Sequence, residues 1–288
     1  MRRALILVAL LAGCSSKDDA SATTRATGRA DEGRVLELFV GTASKPPTEA
    51  AAAAFEQRTG AKLELHFGGS GKMLSDMKLA ERGDVYFPGS SDYMEKAKAE
   101  GLVVPGTETR IVYLIPAINV QRGNPHHIRG LEDLAQTGLR VGIARPDTVC
   151  VGLYGVELLE RAKLADKVKP NIVTNAESCE KTAQLISLGS VDAVLGWEVF
   201  EHWDPEHIET VYLPKDQVTR IGYVPAAVGA KAREPALAKE FIAFLASDEG
   251  KAIFKKWHYL TSEADARVYT TASTPVGGVY ELPASWQQ

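Results

Sequence analysis

The stretch Leu139–Tyr154, LRVGIARPDTVCVGLY, constrains this chain more than any other. Val141 to Ala144 is an apolar run of strand length, broken only by Gly142. Arg145-Pro146-Asp147-Thr148 is a turn. Beyond Val149 and Cys150, Leu153, Tyr154, Val156, Leu158 and Leu159 recur at helical spacing. A strand therefore ends in a loop that feeds directly into a helix. The start of a helix presents free backbone N–H groups and a partial positive charge, a general place to hold an anion.

The same joint recurs along the chain. Val35–Val40 reads as a strand ending in Gly41-Thr42-Ala43-Ser44, then a turn at Lys45–Thr48 and a helix over Glu49–Arg58 stopped by Gly60. Lys62–Phe67 alternates as a second strand, ends in Gly68-Gly69-Ser70-Gly71 and leads into a helix over Lys72–Arg82. Asp84–Phe87 is a third strand, followed by Gly89-Ser90-Ser91-Asp92 and a helix over Tyr93–Glu100. Further on, Lys169–Val173 is a strand whose exit runs through Ser178 and Cys179 into a helix over Glu180–Leu188. Val191–Leu195 is another strand, ending in Gly196-Trp197-Glu198. Strands alternating with helices at this spacing predict an α/β fold with parallel-core sheets. In such sheets ligands sit beyond the carboxyl ends of the strands, where these Ser, Thr and Gly residues stand. Gly68–Gly71 is not a phosphate-binding P-loop, because Met73 stands where that motif needs a hydroxyl for magnesium.

Two long apolar runs break the pattern. Ile111–Val120 is interrupted by Pro116, and Ile221–Val228 by Pro225. Each suits a segment crossing between two bodies, so the chain is expected to form two lobes joined by a two-segment hinge. Residues 34–116 and 225–288 would make lobe 1, with an amphipathic helix over Glu234–Lys256, and residues 117–224 lobe 2.

The N-terminus has an export layout. Arg2 and Arg3 precede an apolar run, Ala4–Leu11, too short to span a bilayer, and Leu11-Ala12-Gly13-Cys14 follows. Residues 1–14 resemble a bacterial lipoprotein signal, in which Cys14 becomes the lipid-bearing first residue of the mature chain. Residues 15–33 hold almost no large apolar side chain and are expected to be a flexible tether. The net charge of −4 and the lack of a basic run give no footprint for nucleic acid.

The order of these features resembles the type II periplasmic solute-binding proteins of ABC importers, and within them the molybdate- and tungstate-binding proteins. The residues that carry the likeness are Thr42-Ala43-Ser44, Phe67-Gly68-Gly69-Ser70-Gly71, Asp84-Val85-Tyr86-Phe87 with Ser90-Ser91-Asp92, and Ala144-Arg145-Pro146-Asp147 with Val151-Gly152-Leu153-Tyr154. The resemblance implies an exported, lipid-anchored monomer that captures a small oxyanion in the interlobe cleft and delivers it to an importer permease, with no catalysis and no cofactor. The membrane contact would be the lipid alone. Candidate ligand residues are Ala43, Ser44, Ser70 and Gly71 from lobe 1, and Val151, Gly152, Ser178 and Cys179 from lobe 2. Trp197 joins them because it stands where the family carries a tyrosine.

Other readings can be framed from the same residues. A divalent metal or other small solute would draw on Glu198, His202, Asp92 and Tyr154. A nucleophilic Cys150 with His126, His127 or His202 as base would make an enzyme, but no Gly-x-Ser-x-Gly elbow or His-Glu-x-x-His pair is present. With Cys14 lipidated, two cysteines remain in an exported chain. Both Cys150 and Cys179 follow a lobe 2 strand and precede a helix, so they are expected to pair as a disulfide at the lip of the cleft.

Overall fold

The computed structural model describes residues 33–287. The expected lipidation at Cys14, the signal and nearly all of the tether lie outside the described residues. The chain runs β1 (Val35–Gly41), α1 (Lys45–Thr59), β2 (Lys62–Gly68), α2 (Ser70–Ala80), β3 (Val85–Phe87), α3 (Ser91–Ala99) and β4 (Thr109–Leu114). It continues with β5 (Pro116–Gln121), β6 (Val141–Ala144), α4 (Cys150–Arg161), α5 (Ala165–Val168), β7 (Ile172–Ala176), α6 (Cys179–Ser187), β8 (Ala193–Trp197), α7 (Phe200–Trp203) and β9 (Ile208–Val211). β10 (Gly222–Val228), α8 (Pro235–Ala246), α9 (Asp248–Lys256) and α10 (Glu263–Arg267) complete it.

The strands form two five-stranded sheets, ordered β2-β1-β3-β10-β4 and β7-β6-β8-β5-β9. In the first, β1 lies parallel to β2 and β3, and β10 runs antiparallel to β3 and β4. In the second, β6 lies parallel to β7 and β8, and β5 runs antiparallel to β8 and β9. Each sheet is thus an α/β unit with a parallel core and an antiparallel margin. The parallel strands carry the loops of interest at their carboxyl ends.

Local sequence explains the element ends. Pro46 and Pro47 occupy the first turn of α1, where a missing N–H costs nothing, so the helix starts at Lys45 and absorbs the expected turn. Gly60 ends α1 at φ +80°, in the left-handed region. The expected tail helix is two helices, because Ser247 accepts from Gly250 N and starts a new N-terminus. β6 is buried along its whole length.

The chain changes sheets at Ile115, between β4 and β5, and returns just ahead of Gly222. The second boundary, expected at Pro225, therefore lies elsewhere. Pro225 sits inside β10 at a shift of register after Val224, an irregularity that lets a central strand accept a residue with no N–H to give. The C-terminal segment also departs from expectation. α8 and α9 pack on the first sheet, but Ala266 and Trp286 belong to the core of the second, with Tyr269, Val276, Tyr280 and Leu282 against it. Trp286 Nε1 donates to Glu160 Oε1 at 2.5 Å, and Lys169 lies over its ring.

Candidate functional site

The carboxyl ends of β1, β2 and β3 face those of β6 and β7 across the junction between lobes. From lobe 1 come the tight turn Thr42–Ser44, the start of α2 at Ser70 and the loop at Gly89. From lobe 2 come Thr148, the start of α4 at Cys150 and the start of α6 at Cys179. All of these except Thr148 are buried below a tenth of their surface, and the lips touch. Gly71 N donates to Thr148 O at 2.8 Å. Cys179 N donates to Thr42 Oγ1 at 3.0 Å. Lys45 Nζ donates to Glu180 Oε1 at 2.9 Å near the outer rim. Glycine is required at these contacts: a Cβ on Gly69 would lie 2.9 Å from the carbonyl oxygens of both Thr148 and Glu177. On Gly89 it would lie 2.5 Å from Ala43 Cβ and 2.6 Å from Cys150 Sγ.

Lobe 1 fixes its lip internally. Ser70 Oγ accepts from Gly89 N at 3.0 Å, tying the second loop to the third. Tyr86 Oη donates to Ser70 O at 2.9 Å, and Tyr259 Oη donates to Ala43 O at 2.7 Å. Ser44 Oγ accepts from Thr48 Oγ1 at 3.2 Å. The expected residues Ala43, Ser44, Ser70 and Gly71 therefore come together on one lip.

On the other lip, Cys150, Val151 and Cys179 converge. Ser178 Oγ accepts from Lys181 N at 3.1 Å and serves as the N-cap of α6. Gly152 serves packing: a Cβ there would lie 2.2 Å from Ala144 O, so only glycine lets α4 lie against the end of β6. Trp197 is buried with its ring 4.8 Å from that of Tyr154, edge to face.

The expected disulfide is not formed. Cys150 and Cys179 are both free, with their sulfurs 3.6 Å apart, against about 2.05 Å for a bond. The topology did bring the two loops together, since β7 and β8 flank β6, but the sulfurs meet at contact distance. Burial, then the neighbouring Cys150 sulfur, push the Cys179 thiol well up; the Val151 amide and the Trp197 indole oppose this. The residues of the metal reading are not gathered into one site: among the described residues no group of three His, Cys, Asp or Glu could hold an ion. Three of its four residues are spent elsewhere. Asp92 pairs with Arg220, Glu198 Oε2 accepts from Ile115 N at 2.6 Å, and His202 stacks on His258 at 3.8 Å.

Sequence reasoning missed Thr42, Gly89 and Thr148, which make the contacts between lips. It also missed the charged cluster at the hinge. Arg220, buried just ahead of β10, donates from Nη1 to Asp92 Oδ2 at 3.0 Å and from Nε to Glu157 Oε2 at 2.6 Å. Asp92 lies on α3 and Glu157 on α4, so one guanidinium joins the two lobes. It also lies 3.8 Å over the ring of Tyr154. Burial alone would lower the Arg220 pKa; Tyr154, Asp92 and Glu157 outweigh it and hold the group charged.

Two lobes of this topology, with strand-end loops meeting over a cleft at a two-strand hinge, define a bacterial solute-binding protein. The family described as "Bacterial extracellular solute-binding protein" matches residues 36–260, and the chain belongs to it. A "Putative binding protein" of Haemophilus influenzae is 25% identical over 234 residues, 79% of this chain and 91% of that one. The "Molybdate-binding protein ModA" of Rhodobacter capsulatus is 23% identical over 237 residues, 80% of this chain and 89% of that one. The solved periplasmic molybdate-binding protein of Azotobacter vinelandii superposes with a TM-score of 0.68 at 21% identity, covering 79% of this chain and 99% of that one. The fold is that of a type II periplasmic solute-binding protein.

Proposed function

We propose that this protein captures a small oxyanion, of the molybdate or tungstate kind, between its two lips and delivers it to an ABC importer. In this reading it acts as a monomer held at the outer face of a bacterial membrane by a lipid on Cys14. The observation that carries the reading is the convergence of uncharged donors from both lobes. The turn at Ala43 and Ser44, Ser70 and Gly71 face the starts of α4 and α6 at Val151 and Cys179. Several preorganised amides and hydroxyls can share a tetrahedral dianion without a countercharge. A solute touched by both lips holds the lobes closed, and the amides now spent between lips, those of Gly71 and Cys179, become available as the lobes part. The names of the relatives point the same way, as does a lipoprotein-type leader.

The test is a thermal-shift screen of molybdate, tungstate, sulfate and phosphate against divalent metals. An oxyanion present at 100 times its dissociation constant should add about 2.7 kcal/mol to stability. Stabilisation by metals alone, with none from any oxyanion, would remove the proposal.

A further inference from the structure

Two thiols stand at the centre of this cleft. Cys150 and Cys179 begin the two helices that form the lobe 2 lip, and their sulfurs lie 3.6 Å apart. Across the junction they meet lobe 1 directly: Gly89 leaves no room for a methyl group against Cys150 Sγ, and Cys179 N bonds Thr42 Oγ1. Near the pair two buried hydroxyls have no hydrogen-bond partner, those of Tyr93 and Tyr154. Tyr93 is 1% exposed, and its hydroxyl lies within electrostatic reach of both sulfurs; Trp197 is 0% exposed, and its N–H favours a negative Cys179 sulfur. Hydroxyls and N–H groups that distant from water normally have partners. Here they lie near two soft nucleophiles.

A metal cation would find two sulfurs and, among the described residues, no third protein ligand, whereas zinc sites take three or four. The donor set instead fits a solute that offers two positions to sulfur and keeps an oxygen for the hydroxyls and amides. From this juxtaposition we infer that Cys150 and Cys179 are a two-sulfur binding site for an oxyacid of trivalent arsenic or antimony. The inference rests on the cleft being an oxyanion-type site and narrows the element it selects. A thiophilic atom with bonds of about 2.3 Å to sulfur, the length zinc makes, spans a pair at this separation. The step is a substitution. As(OH)3 meets two thiols, two As–O bonds break and two As–S bonds form, and each thiol proton leaves with a hydroxide as water. Arsenic stays trivalent and no oxidant is needed. The remaining As–OH is left to the unpartnered hydroxyls of Tyr93 and Tyr154. Burial raises the Cys179 pKa, so that thiol enters the substitution with the proton that leaves as water.

The test is calorimetric titration of the mature protein, kept under a non-thiol reductant, with arsenite, molybdate, tungstate and sulfate. Arsenite is expected to bind one per chain, and Cys150→Ser and Cys179→Ser are each expected to weaken it by about 100-fold or more. X-ray absorption at the arsenic edge of the wild-type complex is expected to show two sulfur neighbours and one oxygen, a readout independent of how the variants fold. Oxygen neighbours only, or unchanged affinity in both variants, would overturn the inference. Binding of molybdate, tungstate or sulfate without arsenite would overturn it and leave the oxyanion reading standing. No binding by any of the four would end both.

Discussion

The two places where the lobes meet are built from opposite chemistry. At the lips, contact is made by neutral groups: Thr42 Oγ1 to the Cys179 amide, the Gly71 amide to Thr148 O, and glycine against sulfur. At the hinge it is made by buried charge. Arg220 holds Asp92 of one lobe and Glu157 of the other, and its Nη1 also donates to Gly278 O in the C-terminal segment at 3.0 Å. That segment braces the second crossing, where Ile221 N donates to Pro275 O and Gly277 N to Ile221 O, each at 2.8 Å. The first crossing is pinned by Glu198, which receives the Ile115 amide. A neutral hydrogen bond contributes about 0.5–1.5 kcal/mol net, whereas removing one partner of a buried ion pair costs about 3–5 kcal/mol. On these magnitudes the contacts at the lips break more easily than those at the hinge.

This contrast can be broken from the hinge first. Arg220→Ala strands two buried carboxylates and should lower unfolding free energy by about 3–5 kcal/mol in urea titrations; a loss no larger than that of a lip variant would erase the distinction. Glu198 gives a pH signature of the same region. Burial pushes its carboxyl up to about 8, so the folded state keeps a proton that the unfolded chain has released. Stability should therefore fall as pH rises from about 5 to about 8, and Glu198→Gln should flatten that slope in melting temperatures taken across the range. An unchanged slope would show that Glu198 is not the group responsible.

The lip variants come next in size. Ser70→Ala leaves the Gly89 amide buried without an acceptor, at a cost of about 1–3 kcal/mol. It should also weaken the captured solute, which calorimetry would report. Thr42→Val removes only the bond across the lips. It should cost about 0.5–1.5 kcal/mol and appear mainly as a larger radius of gyration in solution scattering. At the rim, Lys45→Ala should change stability by about 0.2–1 kcal/mol, because the pair with Glu180 is half exposed and screened by salt. A loss above that of Ser70→Ala would place the holding force at the rim instead.

Most of the scaffold was legible because its signals are local. Strand alternation, helical periodicity and small residues at strand ends lie within a few positions of one another, and they marked both lips as far as Ala43, Ser44, Ser70, Val151 and Cys179. What escaped depends on distant partners. Nothing near Arg220 in the chain marks it as the partner of Asp92, which is 128 residues away. Pro225 has the local look of a break, yet its strand shifts register to keep it. Gly152 and Ser178 carried the right residue types for ligand contact and are used for close packing and for capping. The cysteine pair shows the limit most plainly. Topology brings the loops together, but it does not decide whether two sulfurs at contact distance bond or stand free.

The solute is expected between the lips, among residues 42–44, 70–71, 89, 150–151 and 179. A 320 Å³ pocket nearby, lined among others by Lys45, Pro46, Glu180 and Trp203, is the rival location. Crystals grown with arsenite, molybdate or tungstate, with data collected at the absorption edge of the heavy element, separate the two. The account predicts one anomalous peak within bonding or hydrogen-bonding reach of the Val151 amide and the two cysteine sulfurs, touched by both lobes. A peak in the Lys45–Trp203 pocket, or on one lobe alone, would contradict it.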